Sequence, residues 1–200
     1  IPLCGHATLA SSKVLFEKNG QHSIRFLNTQ NLKLPIECRE EYIKMEFPIY
    51  DTISKDAPSE LLTALGIDEF NNSVYNAETK ILLLEIQSSV LLKNLSPDFD
   101  KLKKSHTGIN GVLVTALSAR VDFDFESRYF WPWSGTNEDP VTGGTHTFLA
   151  KYWGRKLGKS KMKSFQCSER TRFMEVELLN EEKMTITSKA QIILKGKLII

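Results

Sequence analysis

Residues 137–153 read NEDPVTGGTHTFLAKYW and place two acidic residues, a proline and a glycine pair directly before an apolar stretch. Leu149, Trp153 and Leu157 recur at helical spacing, which predicts a buried helix over residues 145–157. The turn before this helix has two interpretations. It caps the helix, or it holds an anionic ligand against the helix N-terminus, where unpaired backbone N–H groups carry partial positive charge.

A similar turn stands near the beginning of the chain. Residues 4–8 read CGHAT and lead into an apolar stretch that ends at an Asn-Gly pair, which predicts a helix over residues 6–19. Two glycine turns of this kind indicate two similar half-molecules, each presenting a helix N-terminus. The apolar stripe of the first helix is expected at Ala7, Ala10, Val14 and Leu15.

The composition is that of an ordinary globular protein. The 200 residues are 41% hydrophobic and 25% charged, and the net charge is only +2. This balance argues against a nucleic-acid-binding protein, and no apolar run approaches the roughly 20 residues needed to span a bilayer. We therefore expect a cytoplasmic protein with neither nucleic acid nor membrane as a partner.

The three cysteines, Cys4, Cys38 and Cys167, have neither a metal-site spacing nor a disulfide pattern. We expect free thiols and no structural metal. A two-thiol racemase would need a cysteine in each glycine turn, but residues 140–147 read PVTGGTHT. Cys4 is therefore expected to be a small buried apolar residue.

Strand patterns outnumber helical ones, which predicts the α+β class. The two helices above are expected to be the central, most buried helices of two sheet-wrapped units, residues 1–50 and 51–200, joined near residues 48–58. Two shorter helices are predicted at residues 59–66 (SELLTALG) and 96–104 (SPDFDKLKK). Strands are predicted at residues 41–47 (EYIKMEF), 80–86 (KILLLEI), 89–95 (SVLLKNL), 111–117 (GVLVTAL), 120–125 (RVDFDF), 172–179 (RFMEVELL), 184–188 (MTITS) and 190–200 (AQIILKGKLII).

The acid–base groups beside the turns are the candidate catalytic residues. Histidine titrates near neutral pH, which makes His6 a candidate, and Asp139 precedes Pro140, whose fixed φ holds the turn. Simple capping by Asp139 and a surface or capping role for His6 remain open. The backbone amides of Gly5, Gly143, Gly144 and Thr145 are the candidate ligand donors. His22, His106 and His146 have no partner recognisable in the sequence and are expected to be structural.

Three segments together resemble the phenazine biosynthesis PhzF-like family: residues 3–10 (LCGHATLA), 127–153 (SRYFWPWSGTNEDPVTGGTHTFLAKYW) and 165–172 (FQCSERTR). The resemblance covers nearly the whole chain, and CGHAT followed by EDPVTG about 130 residues later is specific. It implies a diaminopimelate epimerase-like fold, in which two similar α+β domains each wrap a curved mixed sheet around a central helix. It also implies an isomerase that shifts a proton in a small carboxylic acid, in the cleft between the domains, without metal or organic cofactor.

The resemblance places the family's GHAT histidine at His6 and its DPVTG aspartate at Asp139. The family usually reads DPVTGSAH, and its serine position is Gly144 here, with the hydroxyl one residue later at Thr145. The family's QxSxRGG pattern loses its glycine pair. It becomes Gln166, Ser168, Arg170, Thr171 and Arg172.

Family members carry some tens of residues before the GHAT turn, including a glutamate used as general acid/base, whereas this chain opens at the turn. Either the sequence is cut short at its start or the protein lacks that glutamate. We expect the first, and hence an incomplete first domain, because a half-domain leaves the apolar face of residues 7–15 exposed. Two functions remain: a cofactor-independent isomerase of a small anionic metabolite, with His6 and Asp139 as catalytic residues, or a non-catalytic metabolite- or protein-binding member of the same fold. A homodimer is the candidate assembly.

Overall fold

The computed structural model describes residues 4–196. It confirms the α+β class, with a large mixed sheet and few helices. The helices are α1 (Gly5–Asn19), α2 (Ser59–Leu65), α3 (Ser89–Asn94), α4 (Phe99–Ser105) and α5 (His146–Leu157). The strands are β1 (Ser23–Leu27), β2 (Lys33–Arg39), β3 (Tyr42–Pro48), β4 (Ile53–Ser54), β5 (Asn72–Asn76), β6 (Ile81–Glu85), β7 (Gly111–Leu117), β8 (Phe125–Trp131), β9 (Thr136–Asp139), β10 (Lys161–Gln166), β11 (Arg172–Leu178) and β12 (Lys183–Lys189).

All of these strands belong to one sheet, in the order β1-β2-β3-β12-β11-β10-β8-β7-β6-β5-β4, and β9 pairs with β8 beside this path. Neighbours are antiparallel except β6 with β7 and β8 with β10. Strand β3 pairs with β12 over its whole length. The sheet therefore continues from residues of the first predicted domain into those of the second, and the division near residue 50 stays a prediction.

Helix α5 is the helix around which the sheet curves. Phe148, Leu149, Ala150 and Trp153 are buried in a cluster to which β2, β3, β5–β8 and β10–β12 contribute. The Phe125 ring of β8 stacks on Trp153 with ring centroids 5.6 Å apart. The helix predicted from the apolar spacing of residues 145–157 is thus confirmed, and its buried face fixes the position of the turn that precedes it.

Helix α1 is much less buried than its sequence predicts. Ala7 and Ala10 are exposed and Val14 is 49% exposed, whereas the buried residues are Gly5, Ser12 and Phe16. Phe16 packs into the apolar cluster, and the buried Ser12 hydroxyl is satisfied by donating to the Thr8 carbonyl (2.6 Å). Among the described residues, the sheet covers only the face of α1 that carries Gly5, Ser12 and Phe16. Of the predicted stripe only Leu15 is partly buried, so the stripe as predicted is wrong, and so is the prediction that α1 is as central as α5.

Helices α2, α3 and α4 pack on the other face of β5–β8. The strand predicted at residues 89–95 is wrong, because this segment forms α3. The Ser88 hydroxyl accepts from the backbone N–H groups of Val90 (3.1 Å) and Leu91 (3.3 Å) and so caps the helix. A short apolar run suits a strand or a buried helix equally. The cap decides between them here.

Two other strand predictions need correction at their ends. Residues 120–124 form no strand, and β8 begins only at Phe125. Strand β12 ends at Lys189, and residues 190–196 follow without regular structure, so the strand predicted there is wrong up to residue 196. Residues 197–200 of that prediction lie outside the described range. Between residues 4 and 196, no helix is long and apolar enough to cross a membrane.

Candidate active site

The two glycine turns predicted from the sequence meet in the structure. Gly5 begins α1, and a short 3₁₀ turn, Gly143–Thr145, leads into α5. A Cβ added to Gly5 would lie 3.2 Å from the Cα of Gly143, which is closer than side chains normally pack. The two backbones are therefore in direct contact, and the N-termini of both helices converge on one place.

Asp139 ends β9 and lies half-buried in front of the second turn. Its Oδ2 accepts from the Thr142 hydroxyl (2.6 Å), so the carboxylate is held by a side chain and not by a helix N–H. Its backbone carbonyl accepts from Gln166 Nε2 (2.6 Å) and from the Ser168 hydroxyl (3.2 Å). The aspartate is thus fixed from both its main chain and its side chain, in a geometry other than helix capping.

Gln166 is a residue whose role the sequence did not reveal. Its Oε1 accepts from the backbone N–H of Thr142 (2.8 Å), while its Nε2 donates to the carbonyl of Asp139. One buried amide therefore holds both ends of the turn from residue 139 to 142. The motif that contains Gln166 and Ser168 was recognisable, but its contact with this turn was not.

Tyr129 lies beside Asp139 and is a second residue whose role the sequence did not reveal. It is the cross-strand partner of Asp139 in the β8–β9 pair, and its side chain is buried. Burial raises the pKa of Tyr129 well above its ordinary value, and the nearby negative charge of Asp139 raises the pKa further. The phenol therefore stays protonated and remains a potential hydrogen-bond donor beside the carboxylate.

His6 lies in the first turn of α1, next to the Gly5–Gly143 contact, and its side chain is exposed. Its Nε2 is 3.8 Å from the Sγ of Cys4. Cys4 is half-buried and contacts a polar ring, so the expectation of a buried apolar residue is wrong. No hydrogen bond joins His6 to Asp139 in the described part of the chain. The structure brings the two turns together without pairing these two side chains.

Thr145 does not replace the serine hydroxyl of the family pattern. Its side chain is buried, and its hydroxyl donates to the Thr142 carbonyl (2.9 Å). The Thr147 hydroxyl likewise donates to the carbonyl of Gly144 (2.7 Å). Both hydroxyls are committed to the backbone of the turn. What the turn can offer to a ligand is therefore its backbone N–H groups, which are unpaired at the start of a helix.

His146 has partners that the sequence did not predict. Its Nδ1 lies 3.1 Å from the Thr142 carbonyl and its Nε2 lies 2.7 Å from the Ser164 hydroxyl. A carbonyl only accepts, so Nδ1 carries the proton and Nε2 accepts from Ser164. Burial lowers the pKa of His146 to about 4, against hydrogen bonds to the backbone of Thr142 and Gly143 that raise it. The ring is neutral near pH 7.

Metal ligands do not gather at this site. Across residues 4–196, no three histidine, cysteine, aspartate or glutamate side chains are arranged to hold a metal ion. The thiols of Cys4 and Cys38 are free and half-buried, and that of Cys167 is free and buried. The groups that the structure does bring together are backbone amides, one carboxylate and one phenol.

The fold and these paired turns define an α+β protein with a candidate site where two helix N-termini meet. The chain belongs to the phenazine biosynthesis-like protein family, PhzC-PhzF, whose model matches residues 1–196. It is 36% identical over 211 residues to the mouse phenazine biosynthesis-like domain-containing protein 2, covering 98% of this chain and 73% of the relative.

Two further comparisons support this assignment. An uncharacterized isomerase of Pseudomonas aeruginosa is 37% identical over 200 residues, covering 99% of this chain and 73% of the relative. A crystal structure of a phenazine biosynthesis protein of the PhzF family from Enterococcus faecalis superposes with a TM-score of 0.89 at 31% identity. That superposition covers 100% of this chain and 74% of the other. The resemblance read from the motifs is confirmed.

Proposed function

We propose that this protein is an isomerase that moves a proton on a small carboxylate-bearing metabolite bound where the two glycine turns meet, without metal or organic cofactor. The observation that carries the proposal is the contact between Gly5 and Gly143. Two helix N-termini that meet concentrate unpaired N–H groups and partial positive charge in one place. A carboxylate is the kind of group that such a place stabilises.

The geometry of Asp139 suits proton transfer beside such an anion. One carboxylate oxygen is held by the Thr142 hydroxyl. The other oxygen has no hydrogen bond within the described residues and is the one we assign to proton transfer. In the proposed reaction it takes a proton from a carbon of the bound metabolite, and Asp139 returns that proton to a different carbon. His6, beside the first turn, binds the metabolite or relays the proton.

Negative charge builds up on the metabolite when the proton leaves, and the paired N–H groups stabilise that charge. The Pseudomonas aeruginosa relative is named an uncharacterized isomerase, which agrees with this class of reaction. One observation favours the second candidate, a non-catalytic metabolite-binding protein. The hydroxyl that the family pattern supplies from a serine is absent at Gly144, and Thr145 does not restore it.

Exchange of carbon-bound hydrogen in D₂O separates the two functions. The protein is incubated with a panel of small cyclic and unsaturated carboxylates, and mass spectrometry follows deuterium entering carbon positions. We expect incorporation into at least one compound, because a proton held by Asp139 exchanges with solvent between steps. Heat-denatured protein is the control. Saturable binding of a carboxylate without any deuterium incorporation or isomerisation would favour the non-catalytic function.

A further inference from the structure

We propose that His146 is a positioning residue that aims the Gly143 N–H at a bound anion. The proposal rests on the anion site proposed above and assigns one donor of that site to a particular side chain. His146 itself is fully buried beneath the turn, so it has no surface with which to contact a ligand. It acts through the peptide unit that joins Thr142 to Gly143.

The orientation of that peptide unit follows from the hydrogen bonds to its carbonyl. The Thr142 carbonyl accepts from His146 Nδ1 (3.1 Å) and from the Thr145 hydroxyl (2.9 Å), both inside the protein. In a trans peptide the C=O and the following N–H point in opposite directions. The N–H of Gly143 therefore points away from His146. As the first residue of the helical segment, Gly143 has no intrahelical partner for this N–H.

Strand β10 holds His146 and the turn together. Ser164 and Gln166 are two residues apart, so both side chains leave β10 on the same face, and both are buried. Ser164 binds Nε2 of His146, and Gln166 binds the N–H of Thr142. The N–H and the carbonyl of Thr142 are thus fixed by the same strand, one directly and one through the imidazole.

This arrangement requires one tautomer. If the proton were on Nε2, the lone pair of Nδ1 would face the lone pairs of the Thr142 carbonyl, and the peptide would lose one of its two inward hydrogen bonds, keeping only the one from the Thr145 hydroxyl. The side-chain amide nitrogen of asparagine reaches the place of Nδ1, whereas that of glutamine reaches the place of Nε2. His146→Asn therefore keeps the donor to Thr142, and His146→Gln removes it while keeping a polar group near Ser164.

Nitrogen-15 NMR of the unaltered protein tests the tautomer, and titration with benzoate tests its effect on the amides. We expect Nδ1 protonated and Nε2 unprotonated at neutral pH. We expect His146→Asn to bind benzoate within about threefold of the unaltered protein, and His146→Gln to bind it about tenfold more weakly, with a smaller shift of the Gly143 amide. Melting curves of both variants check that they are folded.

The Nε2–H tautomer would overturn the proposal, as would equal benzoate affinity in the two variants or no shift of the Gly143 amide in the unaltered protein. If one variant does not fold, two measurements on the unaltered protein still test the proposal: the tautomer of His146 and the shift of the Gly143 amide signal on adding benzoate. The proposed function is judged by deuterium incorporation and fails separately. If the protein binds benzoate through Gly143 but exchanges no carbon-bound hydrogen, the proposed role of His146 stands and the proposed isomerase function is wrong.

Discussion

Asp139→Asn is expected to lower the rate of deuterium incorporation by about 10²–10⁴-fold while leaving the fold intact. The two side chains have nearly the same shape, and the asparagine oxygen can still accept the Thr142 hydroxyl that Oδ2 of Asp139 accepts. What is lost is the negative charge and the capacity to take a proton. The measurement is the initial rate of exchange for whichever carboxylate the panel identifies, together with the melting temperature.

Asp68→Asn is the matched control for this change. Asp68 is exposed in the turn after α2, on the other face of the sheet from α5, so its replacement should leave the exchange rate as it is. Asparagine serves about as well as aspartate as a helix cap. An Asp139→Asn protein with unchanged exchange and unchanged benzoate affinity would therefore show that Asp139 is structural, and the active-site assignment would be wrong.

Acidification is expected to destabilise the protein through His146. The pKa of its imidazole is lowered from 6.5 to about 4 in the folded state, so between these values the unfolded chain binds a proton that the folded protein does not. The unfolding free energy falls as pH falls through this window. At 1.36 kcal/mol per pKa unit the total loss is about 3 kcal/mol. Above pH 6.5 both states are neutral at this residue, and the contribution is constant.

Urea unfolding at several pH values between 4 and 7 measures this effect, with His146→Asn as the reference. Carboxylates titrate in both proteins and cancel in the difference, whereas the imidazole is present in one only. The unfolding free energy of the unaltered protein should fall toward that of the variant, or below it, as pH decreases. Parallel curves for the two proteins would contradict a buried neutral His146.

The elements that the sequence predicted well are those in which one periodic pattern dominates. Alternation over residues 41–47 gave β3, and the spacing of Leu149, Trp153 and Leu157 gave α5. The errors have different physical origins. At residues 89–95 a short apolar run suited a strand as well as a helix, and the Ser88 cap stabilises the helix. In α1 the residues buried are Gly5, Ser12 and Phe16, whereas Ala7, Ala10 and Val14 of the apolar pattern are exposed, because tertiary contacts that no local pattern reports decide which face is covered.

The candidate site likewise has features that local sequence patterns predict and features that they do not. The two glycine turns are local patterns that the sequence shows directly, and the structure brings them into contact. Gln166 contacts a residue 24 positions earlier, and Ser164 contacts His146 from 18 positions away. No local pattern reports contacts made by a strand that packs beneath a turn. No partner of His146 was therefore recognisable in the sequence, although both of its ring nitrogens are hydrogen-bonded in the structure.

Titration of the unaltered protein with benzoate, followed by the backbone amide signals of Gly5, His6, Gly143 and Gly144, tests the central claim most directly. If the two turns form one anion site, amides from both turns shift along a single binding curve with one dissociation constant. The uncharged analogue benzamide should leave them in place, because the partial positive charge of helix N-termini favours an anion. Shifts confined to one turn, or equal responses to benzoate and benzamide, would contradict a shared anion site.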